Sequence, residues 1–188
     1  MSQLISNAVN FVKETIKKTL KEDSIVIDAT MGNGHDTLFL RKQLNDEGFL
    51  YGFDIQEIAI EKTKERLIKN NCYSDVKLIQ DSHENFEKYI ESPVDLILYN
   101  LGYLPKGDKT ITTESDQTLK SVKEGMSLLK SGGVIIITVY PGHLPGALEL
   151  EVLSDYLETI NQKEYAVMKV DFFNYKNKPP VVFIIERR

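Results

Sequence analysis

Apolar residues follow two alternating periods along the chain. Leu4, Ile5, Ala8, Val9, Phe11, Val12, Ile16 and Leu20 fall at helical spacing, which predicts an amphipathic helix over residues 3–21 that packs on the core. A short β-branched run, SIVIDA (24–29), then reads as a buried strand. The alternation continues with a helix over 35–44, a strand over 48–55 and a helix over 56–70 that turns Ile58, Ile60, Leu67 and Ile68 inward. Strands follow over 76–80, 94–100 and 134–140, with helices over 83–90, 114–130 and 145–160, and Gly132 and Gly133 are expected to stop the helix before the fifth strand. The tail predicts two more strands joined by a short loop.

Strands alternating with helices imply an α/β protein whose mainly parallel sheet is covered on both faces. The last two strands lack the dozen or more residues that a parallel crossover needs, so an antiparallel hairpin is expected at one edge. Five strands alternating with helices and followed by such a hairpin resemble the Rossmann-like fold of class I methyltransferases, which implies a seven-stranded sheet; simple dinucleotide dehydrogenases usually lack that ending. No repeat, low-complexity tract or Pro/Gly linker divides residues 1–188, so one domain is expected, with the helix of residues 1–21 docked on it.

Composition narrows the classes. The net charge of −5 argues mildly against non-specific nucleic-acid binding and leaves room for a local basic patch. No apolar run reaches the roughly 20 residues of a membrane helix, and the N-terminal segment has neither the apolar core nor the cleavage site of a signal peptide. The lone Cys72 allows no internal disulfide and no CxxC metal site. The expectation is a cytoplasmic protein with no membrane partner and no metal. A homodimer is compatible with a chain whose sequence does not set the oligomeric state.

The chemistry collects at the ends of the predicted strands, where doubly wound folds bind ligands. IDATMGNGHDT (27–37) leaves the first strand through Gly32 and Gly34, which are expected to clear space for a cofactor against the backbone. A dinucleotide fingerprint wants a third glycine where Thr37 stands, and Thr30 replaces the first glycine of the common methyltransferase motif. Asp54 ends the second strand 20 residues after Gly34, where a carboxylate can hold both ribose hydroxyls; as an alternative it caps the next helix. Asp81 follows the third strand, as an adenine ligand or, with Ser82 and Glu84, as part of a capping box. NAD and S-adenosylmethionine both suit a glycine loop with an acidic partner. Asp28, the missing third glycine and the terminal hairpin favour S-adenosylmethionine, since an acid at position 28 would hold a cationic amino-acid end and repel a pyrophosphate. The cofactor candidates are thus Asp28, Thr30, Gly32, Asn33, Gly34, Asp36 and Thr37 on the loop, Asp54 and Gln56, Asp81 and Ser82, and Asn100 at the fourth strand end.

Asn100-Leu101-Gly102-Tyr103 keeps the amide and the aromatic ring of the Asn/Asp-Pro-Pro-Tyr/Phe element of amine methyltransferases and lacks its prolines. Cys72 is too distant along the alternation to serve as the nucleophile of a C5-pyrimidine methyltransferase, and a small, half-buried structural role is expected for it. DATMGNGHDT, NLGYLPKGDK, VYPGHLPGALE and FFNYKNKPP together resemble a small family of class I methyltransferases labelled rRNA methylases, over nearly the whole chain. Characterised members methylate the amine of 5-aminomethyl-2-thiouridine at the wobble position of bacterial tRNA.

The resemblance implies S-adenosylmethionine as cofactor and a tRNA anticodon loop as partner. It implies catalytic roles for Asn100, Tyr103 and His143, and substrate contacts from Tyr103, Lys106, Tyr140, His143, Asn174 and Lys176. An rRNA or a small-molecule amine remains the alternative substrate. The substrate ammonium must lose a proton before attack, and His143, His35 and Asp28 are open candidates for the base. His83 is expected on the surface at a helix start. Tyr175 and Lys178 belong to the same basic, aromatic loop as Asn174 and Lys176, a composition suited to unstacked bases and phosphates.

Overall fold

The computed structural model describes residues 7–102 and 115–188. In chain order these form α1 (Ala8–Thr19), β1 (Ile25–Asp28), α2 (His35–Arg41), β2 (Phe49–Asp54), α3 (Glu57–Lys69), β3 (Val76–Gln80), a 3-10 helix (His83–Lys88), β4 (Val94–Asn100), α4 (Ser115–Leu128), β5 (Leu129–Val139), α5 (Leu144–Glu158), β6 (Tyr165–Val170) and β7 (Val181–Arg187). The strands make one sheet in the order β3-β2-β1-β4-β5-β7-β6. Pairing is parallel from β3 through to β5 and antiparallel where β7 enters between β5 and β6. The expected fold class is the one observed, including the hairpin at the edge.

The central strands are apolar on both faces, so each side of the sheet needs a cover. Ile97 and Tyr99 of β4 face a cluster with Phe53, Phe86, Ile135, Leu153 and Phe183. Their neighbours Leu96 and Leu98 face the opposite cluster with Ala8, Val12, Ile16, Leu40, Leu50 and Ile136. This period of two is what fully buried parallel strands produce, and α1 packs on the second cluster.

Three details differ from the sequence-based expectation. The buried stripe of α3 is Ala59, Thr63 and Leu67, while Ile58 and Ile68 are exposed, as is Val9 of α1. Small residues let α3 approach α2 closely, and that approach decides the facing surface ahead of side-chain hydrophobicity. Gly132 and Gly133 do not stop α4, which ends at Leu128; they lie within β5. Val94 pairs with Leu129, but Leu96 already pairs with Val134, so β5 bulges there, and Gly132 takes φ 78°. A Cβ on Gly133 would stand 3.0 Å from the Val94 carbonyl oxygen. Finally, β6 and β7 are joined by the longer segment 171–180, in which Asn177 and Lys178 have left-handed backbones. No helix among the described residues is long and apolar enough to cross a membrane.

Candidate active site

The parallel strands deliver their carboxyl ends to one edge of the sheet. After Asp28, the Ala29 N–H donates to Leu98 of β4 and the Met31 N–H to Phe53 of β2, so the loop starts pinned between two neighbouring strands. It then turns through Gly32 (φ 50°) and Gly34 (φ 73°) into α2. Both backbones lie in the left-handed region that glycine adopts without strain. Gly34 has a second reason to be glycine: a Cβ would lie 2.7–2.9 Å from Thr63 of α3.

A cavity of about 660 Å³ opens over this edge, within the size range of small-molecule sites. Of the expected residues, Thr30, Gly32, Asn33, Asp36, Asp54, Gln56, Asp81, Ser82, Asn100, Tyr140 and His143 line it. Tyr103 and Lys106 lie outside the described residues.

Several expected residues are not in the lining, and each has a physical reason. Asp28 is fully buried behind the loop, where Oδ2 accepts from the Thr37 hydroxyl at 2.7 Å and Oδ1 from the Thr30 N–H at 3.2 Å. Burial, then the nearby Asp36 charge, pushes its carboxyl up to about 7. Asp28 thus braces the loop and cannot touch a ligand in the cavity, and Thr37 is its buried partner. Gly34 makes room for α3 and not for a ligand. Asn174 and Lys176 are exposed on the 171–180 segment, whose residue in the cavity wall is Lys178.

The lining carboxylates are held in place by the chain. Asp54 Oδ2 accepts from the Gly32 N–H and Oδ1 from the Gln56 N–H, both at 3.0 Å, so it ties the glycine loop to the start of α3. Burial raises its pKa, and these backbone bonds work against that rise. Asp81 accepts from the Tyr89 hydroxyl at 2.8 Å, the Asn85 amide at 2.9 Å and the Ser82 N–H at 2.7 Å. Burial opposes its ionisation, but these bonds together outweigh it and keep the carboxyl below its ordinary value. Ser82, not Asp81, caps the following 3-10 helix.

Asn100 sits where the two halves of the site meet. Its N–H donates to the Thr30 hydroxyl at 2.8 Å and its side-chain Nδ2 to Asp36 at 3.0 Å. With the amide nitrogen directed at Asp36, the side-chain oxygen is left as the acceptor. Tyr140 lies alongside; burial, then the Asp36 charge, raises its hydroxyl pKa, against a hydrogen bond from Asn100. Asp36 is therefore the acid that faces the cavity in the position expected for Asp28.

The two histidines of the rim are structural braces. His143 caps α5, its Nδ1 accepting from the Gly146 N–H at 3.1 Å. His35 stands 3.1 Å from the Arg66 guanidinium, which can only donate, so Nε2 accepts. Arg66 also binds the Asn33 carbonyl, and the loop is fastened to α3 twice.

Met31, Ile55, Gln117 and His83 also line the cavity and were not anticipated. His83 is buried, contrary to the surface position expected for it, because the 3-10 helix is sandwiched under α4. No periodic signal marks so short a helix, and no pattern in its residues could have disclosed this. No group of three or more His, Cys, Asp or Glu residues among those described is placed to hold a metal ion.

The sequence model of the family described as "Putative rRNA methylase" matches residues 50–186. The chain belongs to that family. A chloroplastic tRNA (mnm(5)s(2)U34)-methyltransferase from Arabidopsis thaliana is 34% identical over 181 residues, 91% of this chain and 66% of that protein. Ribosomal RNA small subunit methyltransferase H from Halothermothrix orenii is 38% identical over 86 residues, 44% of this chain and 27% of that protein. The chain thus spans less than two thirds of the length of these curated relatives. Among solved structures, an rRNA-methylase family protein from Clostridium thermocellum superposes with TM-score 0.96 at 39% identity, covering 99% of this chain and all of that one. SMU.1697c from Streptococcus mutans, described as "a putative methyltransferase" and solved in complex with SAH, gives 0.89 at 33% identity, covering 98% of this chain and 100% of that one.

Proposed function

We propose that this protein is an S-adenosylmethionine-dependent methyltransferase acting as one domain over residues 1–188. It N-methylates the aminomethyl group of 5-aminomethyl-2-thiouridine at the wobble position of tRNA, giving 5-methylaminomethyl-2-thiouridine, in the cytoplasm. The carrying observation is Asn100 at the β4 end, its amide nitrogen tied to Asp36 and its oxygen left to accept from an amine. The plant relative named for this tRNA position matches 91% of the chain, against 44% for the rRNA enzyme, which favours the tRNA substrate over rRNA.

The residues suit the cofactor. Asp54 lies in the cavity wall with both oxygens on backbone N–H groups, which fixes it to receive ribose hydroxyls. Asp36 supplies the negative charge for a cationic amino-acid end. S-adenosylmethionine, when bound, supplies a methyl group on a positively charged sulfur. Asn100 and Tyr140 orient the substrate amine toward that methyl position, and most of the rate gain comes from this positioning.

The amine surrenders one proton before it attacks. His143 and His35 have ring nitrogens engaged in the bonds described above, and Asp28 is sealed off, so the proton leaves through water in the cavity. On the substrate side, Phe173 is 100% exposed, and Tyr175, about half exposed, packs on the buried Phe172 of the same segment. With Lys178 at the cavity wall they form a platform for unstacked bases and phosphates of an anticodon loop.

The test is methyl transfer from S-adenosylmethionine to purified tRNA with and without the aminomethyl group, read by nucleoside mass spectrometry. Methylation only of tRNA carrying 5-aminomethyl-2-thiouridine is expected. Equal methylation of both would sink the substrate assignment, and activity on rRNA alone would favour the alternative.

A further inference from the structure

The wall that carries Asn100 has a second side. A crevice of about 20 Å³ lies between α1 and α2, and Asp36, Asn100 and Tyr140 line it as well as the larger cavity. Thr138 lines the crevice and not the cavity. It is the register partner of Asn100 on β5, so the two side chains stand next to each other on one face of the sheet. Opposite them, α1 presents Val9, Val12 and Lys13, none of which borders the cavity. Val9 is 46% exposed, so the crevice reaches the surface along α1.

Elsewhere α1 covers apolar side chains, but here it covers a carboxylate, an amide, a phenol and a threonine. Polar groups under such a cover are normally satisfied by protein or by water, and 20 Å³ is room for one water molecule among several polar partners. The hydrogen bonds of the wall have a direction. The Asn100 amide donates to Asp36 at 3.0 Å and to the Tyr140 hydroxyl. Burial and the Asp36 charge keep Tyr140 protonated. A phenol that accepts from an amide retains its own hydrogen to donate and a second lone pair to accept with. Tyr140 can therefore take a proton on one side of the wall while releasing one on the other.

We propose that this crevice is the proton outlet of the active site, with Tyr140 as the passage through the wall and Thr138 as a positioning residue for the water behind it. The proposal rests on the amine-methyltransferase reading of the cavity and deepens it. Cofactor and nucleoside together fill the cavity, so a proton released there needs a way out that does not cross the RNA. The substrate N–H bond breaks and its electron pair stays on nitrogen. Water in the cavity takes the proton and gives it to the Tyr140 oxygen, as the Tyr140 O–H gives its hydrogen to the crevice water. That water passes a proton to solvent along α1, and Tyr140 ends neutral, as it began. The freed electron pair then attacks the methyl group. Three charged or titratable groups face the route besides Tyr140. Asp36 of α2 favours a passing proton. Lys13 of α1 opposes one, with its ammonium 5.3 Å from the centre of the Phe39 ring. Asp28 of β1 acts on Asp36 through its charge from behind the loop.

The experiment is single-turnover methyl transfer to tRNA carrying 5-aminomethyl-2-thiouridine, in H2O and D2O and across pH, by wild type, Thr138→Val and Val12→Ile. The first variant removes a hydroxyl at nearly constant shape, and the second adds one methyl group to the crevice. Each is expected to slow transfer at pH 7 by roughly tenfold, short of the full effect of a positioned acid or base. Affinity for S-adenosylhomocysteine should stay at the wild-type value. The deficit should shrink as pH rises toward the pKa of an alkyl amine, about 10, because the amine then arrives without its extra proton. Both variants should slow more than wild type in D2O, since the proton step has become limiting. Unchanged rates in both variants overturn the inference and show that the enzyme selects the free amine. A loss that is equal at every pH and no larger in D2O also overturns it, as the mark of disturbed packing. If Val12→Ile does not fold, Thr138→Val decides alone. Absence of methyl transfer by wild type overturns the proposed function and this inference with it.

Discussion

Over β1, β2 and β3 the acidic side chains are occupied by the protein itself: Asp28 by Thr37, Asp54 by Gly32 and Gln56, Asp81 by Tyr89 and Asn85. Over β5 and the segment before β7 the cavity wall carries Tyr140 and Lys178, and the same segment exposes Phe173 fully and Tyr175 in part. The first half is assembled before any ligand arrives, which keeps the entropy lost on binding low. The second half offers rings and a charge that can settle against a large, variable surface. One edge of one sheet thus serves a small ligand with rigidity and a macromolecule with adaptability, and Asn100 lies on the seam between them.

The seam should be the most sensitive point. Asn100→Ala is expected to lower kcat on tRNA by ~100-fold through lost positioning, with calorimetric affinity for S-adenosylhomocysteine little changed. A large loss of that affinity would put Asn100 on the cofactor side instead. On the rigid half, Asp54→Ala should weaken S-adenosylhomocysteine by roughly 30-fold, the scale of hydrogen bonds to a charged group. On the adaptable half, Phe173→Ala should raise KM for tRNA by about tenfold, the scale of one lost base stack, and leave cofactor affinity alone. If Phe173→Ala weakened both ligands equally, the division into halves would fail.

The smallest effect is a slope. Asp28 is raised from 3.8 to about 7 and Glu149 from 4.5 to about 7, in both cases chiefly by burial. Between its ordinary and raised values each holds a proton in the fold that the unfolded chain has released. Stability should therefore fall as pH rises through that window and level off above about 7. Asn at position 28 cannot titrate, and its amide can still donate to Thr37 and accept from Thr30. Asp28→Asn should flatten part of the decline of Tm between about pH 5 and pH 7 without altering cofactor affinity. An unchanged slope would show that Asp28 titrates near its ordinary value.

Much of this arrangement could be read from residue order. The period-two and helical patterns mark the sheet and its covers, and the spacing from Gly34 to Asp54 brings both to the same edge. Three-dimensional direction was harder to read. Val26, Ile27 and Asp28 are all buried, so alternation along β1 says nothing about which way the Asp28 carboxylate turns. Ile58 and Ile68 look like a core stripe, but a helix seated on Ala59 and Thr63 leaves them outside. His83 needed knowledge of what lies above it, and the burying residue, Ser121, is 38 positions away.

Thr63 points to a consequence for variation in this protein. It is absent from the cavity lining, yet its side chain abuts Gly34 and its hydroxyl binds the Gly32 carbonyl at 3.3 Å. In a saturation library selected for activity, position 63 should accept alanine or serine and reject leucine and phenylalanine as firmly as a ligand contact would. Position 34 should remain glycine whatever stands at 63, since shrinking Thr63 relieves the collision but not the left-handed backbone. A map of tolerated substitutions would then outline the cofactor loop twice, once from the cavity and once from behind.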